Sequence, residues 1–107
     1  MSASGAGAAI TRARELTRGM MEVADRGDMQ GVLELDALRS GLLHEFLDQA
    51  SRLADPERAV LNEIMELNKA VIDKLETLRT GTEQKMQTLG RGMRALAAYS
   101  DVQRHGP

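Results

Sequence analysis

The 107-residue chain contains no cysteine and no tryptophan, and Phe46 and Tyr99 are its only aromatic residues. Without cysteine there is neither a disulfide framework nor a thiol nucleophile, and the composition fits a reducing compartment. Two rings are too few for the stacking platform that holds single-stranded nucleic acid. A net charge of -2 and an isoelectric point of about 5.7 leave no field to draw the chain to DNA or to an anionic membrane. No window reaches the roughly 18 consecutive apolar residues of a membrane span. Residues 1–9 lack the basic start and apolar run of a secretory signal. The cytoplasm is the compartment these absences lead us to expect.

What is present is leucine, alanine, methionine, valine and isoleucine, with 42% hydrophobic and 28% charged residues, enough apolar surface for one core and enough charge for solubility. A sheet would favour β-branched and aromatic residues, so this list suits helices. In the second half, Leu61, Met65, Asn68, Ile72, Leu75, Arg79, Thr82, Met86, Leu89, Met93 and Leu96 step by four and three. Ile64, Val71 and Leu78 fall on the same side. Such steps place side chains on one face of an amphipathic helix that needs partners. The expected fold class is all-α, an antiparallel three- to four-helix bundle with one long helix.

Punctuation divides the chain. Residues 1–8 are Gly, Ala and Ser apart from Met1 and are expected to be disordered; 9–100 forms a single helical domain and 101–107 a flexible polar tail. Helix one is expected over 9–26, with Ile10, Ala13, Leu16, Met20, Val23 and Ala24 inward. Gly27 then supplies a left-handed stop and Asp28 an N-cap, which makes a tight antiparallel corner. Helix two is expected over 29–53, with Met29, Val32, Leu35, Leu38 or Leu42, Phe46 and Leu53 inward and Leu33, Leu43 and Leu47 widening the stripe. A face that broad touches two elements. Asp55-Pro56-Glu57 reads as N-cap, first helical residue and dipole-favoured acid, opening a long helix over about 56–90. Gly90 and Gly92 each cost up to about 1 kcal/mol inside a helix. A break is expected there, leaving 93–99 as a short separate helix.

Several constellations invite a chemical reading. His44 and Asp48 stand four apart and could offer two ligands to one metal, but His105, the only other imidazole, sits in a Gly-Pro tail, so both read as surface residues. Glu63 and Glu66 lack the Glu-x-x-His of ferritin-like carboxylate sites and read as solvated acids, with Glu66 pairing Lys69. Glu22 with Arg26, Asp48 with Arg52 and Glu76 with Arg79 are further surface pairs, worth a few tenths of a kcal/mol each. Gly90-Arg91-Gly92 has no preceding strand and no following Lys-Ser/Thr, so it is no phosphate loop. Ser40, Ser51 and Ser100 have no partner histidine. All-α chorismate mutases share the Leu-Arg texture of 35–43 but need several cations converging on a dianion, and the inward faces here read as nearly uncharged. No enzyme, cofactor or metal site is expected. Of the methionines, Met20, Met29 and Met65 read as core filling, whereas Met86 and Met93 suit a pliable binding surface as well as a core.

Three stretches together carry a resemblance. The first is 16–28, with Met20, Ala24 and the turn Arg26-Gly27-Asp28; the second is the run Val32-Leu33-Glu34-Leu35-Asp36-Ala37-Leu38-Arg39 followed by Leu42-Leu43. The third is 61–100, with Ile64, Asn68, Ile72 and Leu75, closing in Leu96-Ala97-Ala98-Tyr99-Ser100. Over roughly 10–100 the chain resembles the flagellar export chaperones of the FliT type. Met29 stands where that family often has tryptophan and keeps an apolar anchor. The resemblance implies a cytoplasmic chaperone that holds the filament-cap protein FliD by its helical C-terminal region until export. It implies the export ATPase complex, the export gate and the flagellar master regulator as further partners. It also implies a short C-terminal helix folded back over the binding surface.

The residues read on their own lead to the same device, an apolar groove between helices two and three that receives an amphipathic helix of a client. Leu42 and Phe46 line it from helix two, and Ile64, Asn68, Val71, Ile72, Leu75, Leu78, Met86 and Leu89 from helix three. The resemblance implies that Met93, Leu96 and Tyr99 form the autoinhibitory cover. Neither nucleic acid nor membrane insertion is expected. Alternatives are a FlgN-type export chaperone or a coiled-coil regulatory dimer, and a homodimer is left open.

Overall fold

A computed structural model describes residues 5–78 and 90–104, and every regular element among them is helical. Helix α1 spans Gly5–Asp25, α2 Met29–Leu47, α3 Asp55–Leu78 and α4 Arg91–Arg104, with one 3-10 turn at Ala50–Arg52 between α2 and α3. The fold is the all-α antiparallel bundle expected. The course of the long helix through 79–89, with Gly81, Met86 and Leu89, lies outside the described residues.

α1 opens about one turn earlier than its apolar pattern does and buries Ile10, Ala13, Leu16, Thr17, Met20 and Ala24 along one face. Its end is a Schellman motif: Gly27 N–H donates to Ala24 O at 2.9 Å and Asp28 N–H to Val23 O at 3.0 Å. Gly27 has φ +78°, a conformation costly for any residue with a Cβ. Asp28 Oδ1 then accepts from Gly31 N–H at 2.8 Å and caps α2.

α2 stops at Leu47, short of the expected end at 53. Gln49 N–H turns back to Phe46 O at 3.1 Å and Arg52 N–H to Gln49 O at 2.9 Å, tightening the chain into the 3-10 turn. Ala50 and Leu53 are thereby buried at the foot of the core. α3 begins one residue earlier than expected: Ala54, not Asp55, is the N-cap. Its carbonyl accepts from Arg58 N–H at 2.8 Å and its own amide donates to Glu57 Oε1 at 3.1 Å, the reach-back half of a capping box.

α1 packs against both α2 and α3, and α4 packs against the same two helices. Arg14 and Arg18 meet Glu63, while Asp25 meets Lys74, so α1 and α3 run parallel. Gly92 lies beside Asp36 and Leu96 joins Leu43, so α4 runs with α2. The result is an up-and-down four-helix bundle in which α4 occupies the groove between α2 and α3. The last helix runs to Arg104 and begins directly after Gly90, which is itself not helical.

Candidate helix-docking groove

The core is two apolar clusters, not one. Ile10, Ala13, Leu43, Phe46, Leu61, Ile64 and Leu96 belong to the first, with Leu42, Met65 and Tyr99 packed against it. Met20, Ala24, Val32, Val71, Leu75 and Met93 form the second, with Met29, Leu33 and Ile72 at its edge. Between them on three of the helices stand polar groups: Thr17 on α1, Asp36 and Arg39 on α2, Asn68 on α3. All four side chains are buried. This overturns the expectation that the inward faces are nearly uncharged.

The layer is knitted by hydrogen bonds. Arg39 donates from Nη1 to Thr17 Oγ1 at 2.8 Å, and from Nη2 to Asp36 Oδ1 at 2.6 Å and Asn68 Oδ1 at 2.9 Å. Thr17 Oγ1 in turn donates to Ala13 O at 2.7 Å. Asn68 Nδ2 donates to Met93 O at 3.3 Å, and Gly92 N–H donates to Asp36 Oδ2 at 3.1 Å. Four helices therefore meet in one network. Arg39 Nε finds no partner among the described residues. Burial pulls the Arg39 guanidinium below its ordinary range, and the facing Asp36 carboxylate pulls the other way.

α2 presents a different face from the one its leucines suggest. Val32, Asp36, Arg39, Leu43 and Phe46 are the buried set, and Leu38 is 65% exposed. Leu38 is therefore not an inward residue, because Val32, Leu43 and Phe46 fix a four-three step that carries 36 and 39 into the core. That step was visible in the sequence. It was obscured because charge at two of its positions read as solvated surface.

The groove residues proposed from sequence sort by depth. Phe46, Ile64, Asn68, Val71 and Leu75 are buried, Leu42 and Ile72 are half-buried, and Leu78 is 47% exposed. Met86 and Leu89 lie outside the described residues. Of the cover residues, Met93 and Leu96 are fully buried and Tyr99 half-buried. Leu96 and Tyr99 join Phe46, Ile64 and Leu42, while Met93 joins Val71, Leu75 and Ile72. α4 thus sits on both apolar clusters and on the polar layer between them.

Outside the groove, Glu63 receives Arg14 Nη1 at 3.3 Å and Arg18 Nη2 at 2.6 Å. The bond from Arg18 is the main reason its carboxyl lies below the ordinary glutamate range. His44 and Asp48 line an exposed cleft with Arg91. No group of three or more His, Cys, Asp or Glu side chains gathers to hold a metal among the described residues. Nor is any described helix long and apolar enough to cross a membrane.

These features define a small up-and-down helical bundle whose last helix fills a groove between two others. The family model described as flagellar protein FliT matches residues 8–101, and the chain belongs to that family. It is a family of flagellar export chaperones, not of enzymes. No curated protein and no solved structure matches the chain.

Proposed function

We propose that the chain acts in the cytoplasm as an export chaperone for the filament-cap protein FliD, taking the helical C-terminal region of that client into the α2/α3 groove. The observation that supports this reading is α4 itself. Among the described side chains of this 14-residue helix, two large ones are fully buried in the groove, Met93 and Leu96, worth about 1.5–3 kcal/mol each. An isolated helix of that length is marginal in water, so α4 is the least secured element of the bundle. When it leaves, Leu42, Phe46, Ile64, Asn68, Val71, Ile72 and Leu75 face a client helix, with Leu78 beyond them; Met86 and Leu89 extend the same row in the sequence pattern alone. Met93, Leu96 and Tyr99 are the competing cover. Contacts with the export ATPase complex, the export gate and the flagellar master regulator belong to the same proposal.

Calorimetry of the full chain with the C-terminal region of FliD tests it. Binding is expected for the wild-type chain and is expected to tighten in a Met93→Ser/Leu96→Ser variant, whose cover is weakened. Absence of binding by both proteins, each folded by circular dichroism, overturns the proposal. Charges at Val71 and Leu75 make a poor test. Both share their cluster with Met20 and Ala24 of α1, so Val71→Asp with Leu75→Asp is expected to unfold the bundle itself.

A further inference from the structure

α4 is held by more than its apolar face. Its first turn carries no acidic residue, and the carboxylate that serves its N-terminus comes from another helix: Asp36 Oδ2 on α2 accepts from Gly92 N–H. Gly92 is the second residue of α4, one of the N–H groups that a helix leaves without an intrahelical partner. Space at this junction is set by the same carboxylate. A Cβ at Gly92 would lie 2.6 Å from Asp36 Oδ1 and 3.0 Å from Leu43 Cδ1, and one at Gly90 would overlap Asp36 Oδ2. The carboxylate is not free to swing aside, because Oδ1 takes Arg39 Nη2 and Arg39 is tied in turn to Thr17 and Asn68. A backbone N–H reaches Oδ2 only where the approaching helix carries no side chain at those two places.

Resting on the reading that the α2/α3 groove takes a client helix, we infer that Asp36 makes the groove selective for one kind of helix start. The entering segment of another polypeptide docks parallel to α2 with its N-terminus on Asp36. It carries glycine at the residue before its first turn and at its second helical residue, then large apolar side chains one and four residues beyond that second glycine, as Met93 and Leu96 follow Gly92. A helix with side chains at the glycine positions is held off. Asp36 Oδ2 then loses its donor in a site where a buried acceptor without one is costly.

The test uses the full chain carrying Gly92→Val, in which the chain's own α4 no longer fits against Asp36. Circular dichroism and urea unfolding report whether α1–α3 stay folded, and Gly92→Ala is the milder host if they do not. The probe is a fluorescein-labelled peptide of residues 90–104, read by anisotropy against the same peptide carrying Gly92→Val. The glycine peptide is expected to bind the variant host more tightly than the wild-type chain, whose tethered α4 competes at an effective concentration on the order of millimolar. The valine peptide is expected to bind about 10- to 100-fold more weakly than the glycine peptide. Adding Asp36→Ala with Arg39→Met to the host, which removes the carboxylate without leaving an unpaired charge, is expected to bring that ratio towards unity. Equal binding of the two peptides to the Asp36 host overturns the selectivity and leaves the groove reading standing. Failure of both peptides to bind a folded host overturns the groove reading and the selectivity with it.

Discussion

Asp36 serves two masters with two oxygens, the Arg39 guanidinium on its own helix and the first turn of α4. Removing one partner of a buried ion pair leaves the other charge uncompensated, so Asp36→Ala is expected to cost about 3–5 kcal/mol in urea unfolding. Replacing the pair together by apolar residues of similar volume, Asp36→Leu with Arg39→Met, is expected to cost less than Asp36→Ala alone; a larger loss would mean that the polar layer is needed for folding itself. Glu63 carries a second electrostatic signature. Its folded carboxyl lies below the ordinary value of 4.5, so its contribution is complete above that value and is lost as the pH falls through the lowered one. Glu63→Gln is therefore expected to destabilise the chain at neutral pH and to flatten the acid limb of its stability curve, measured by unfolding between neutrality and strong acid.

The helices differ in how firmly they are held. α1 and α2 share a Schellman turn and an N-cap, α3 has its own capped start, and α1 is tied to α3 by the Glu63 and Lys74 ion pairs. α4 is anchored by Met93 and Leu96 and tethered from Asp36 to Gly92 and from Asn68 to Met93. Hydrogen exchange is therefore expected to show α4 amides opening well below the global unfolding free energy, with α1 and α2 protected longest. Leu96→Ala, a core truncation of the kind that costs about 2–5 kcal/mol, is expected to raise exchange in α4 selectively. Uniform acceleration across all four helices would show that α4 does not open by itself. Gly27→Ala acts elsewhere, straining the α1–α2 corner by about 1–2 kcal/mol.

At the scale of the whole molecule, the large hydrophobic side chains left exposed among the described residues are Leu38, Leu78 and Val102, one on each of three helices. Scattered residues of that kind do not make an association surface. Light scattering at micromolar concentration is expected to report a single chain of 11.7 kDa while α4 is docked. The Met93→Ser/Leu96→Ser variant, with the groove uncovered, is expected to self-associate more readily; identical masses for the two proteins would count against an apolar groove under α4.

Periodicity and punctuation suffice for the helices, their antiparallel order, the Gly27-Asp28 corner and the start of a last helix next to Gly90. These are local consequences of side-chain spacing, caps and backbone freedom, and a linear pattern records them directly. The end of α2 and the buried Thr17–Arg39–Asp36–Asn68 layer were settled by tertiary packing alone, and the outward turn of Leu38 follows a spacing that the charges at 36 and 39 disguise. A charge spaced like a core residue reads as solvated until the partners that neutralise it are brought from distant parts of the chain. Gly90 and Gly92 show the same division: in the sequence they break a helix, and only the fold reveals that the space their missing side chains leave belongs to a carboxylate more than fifty residues away.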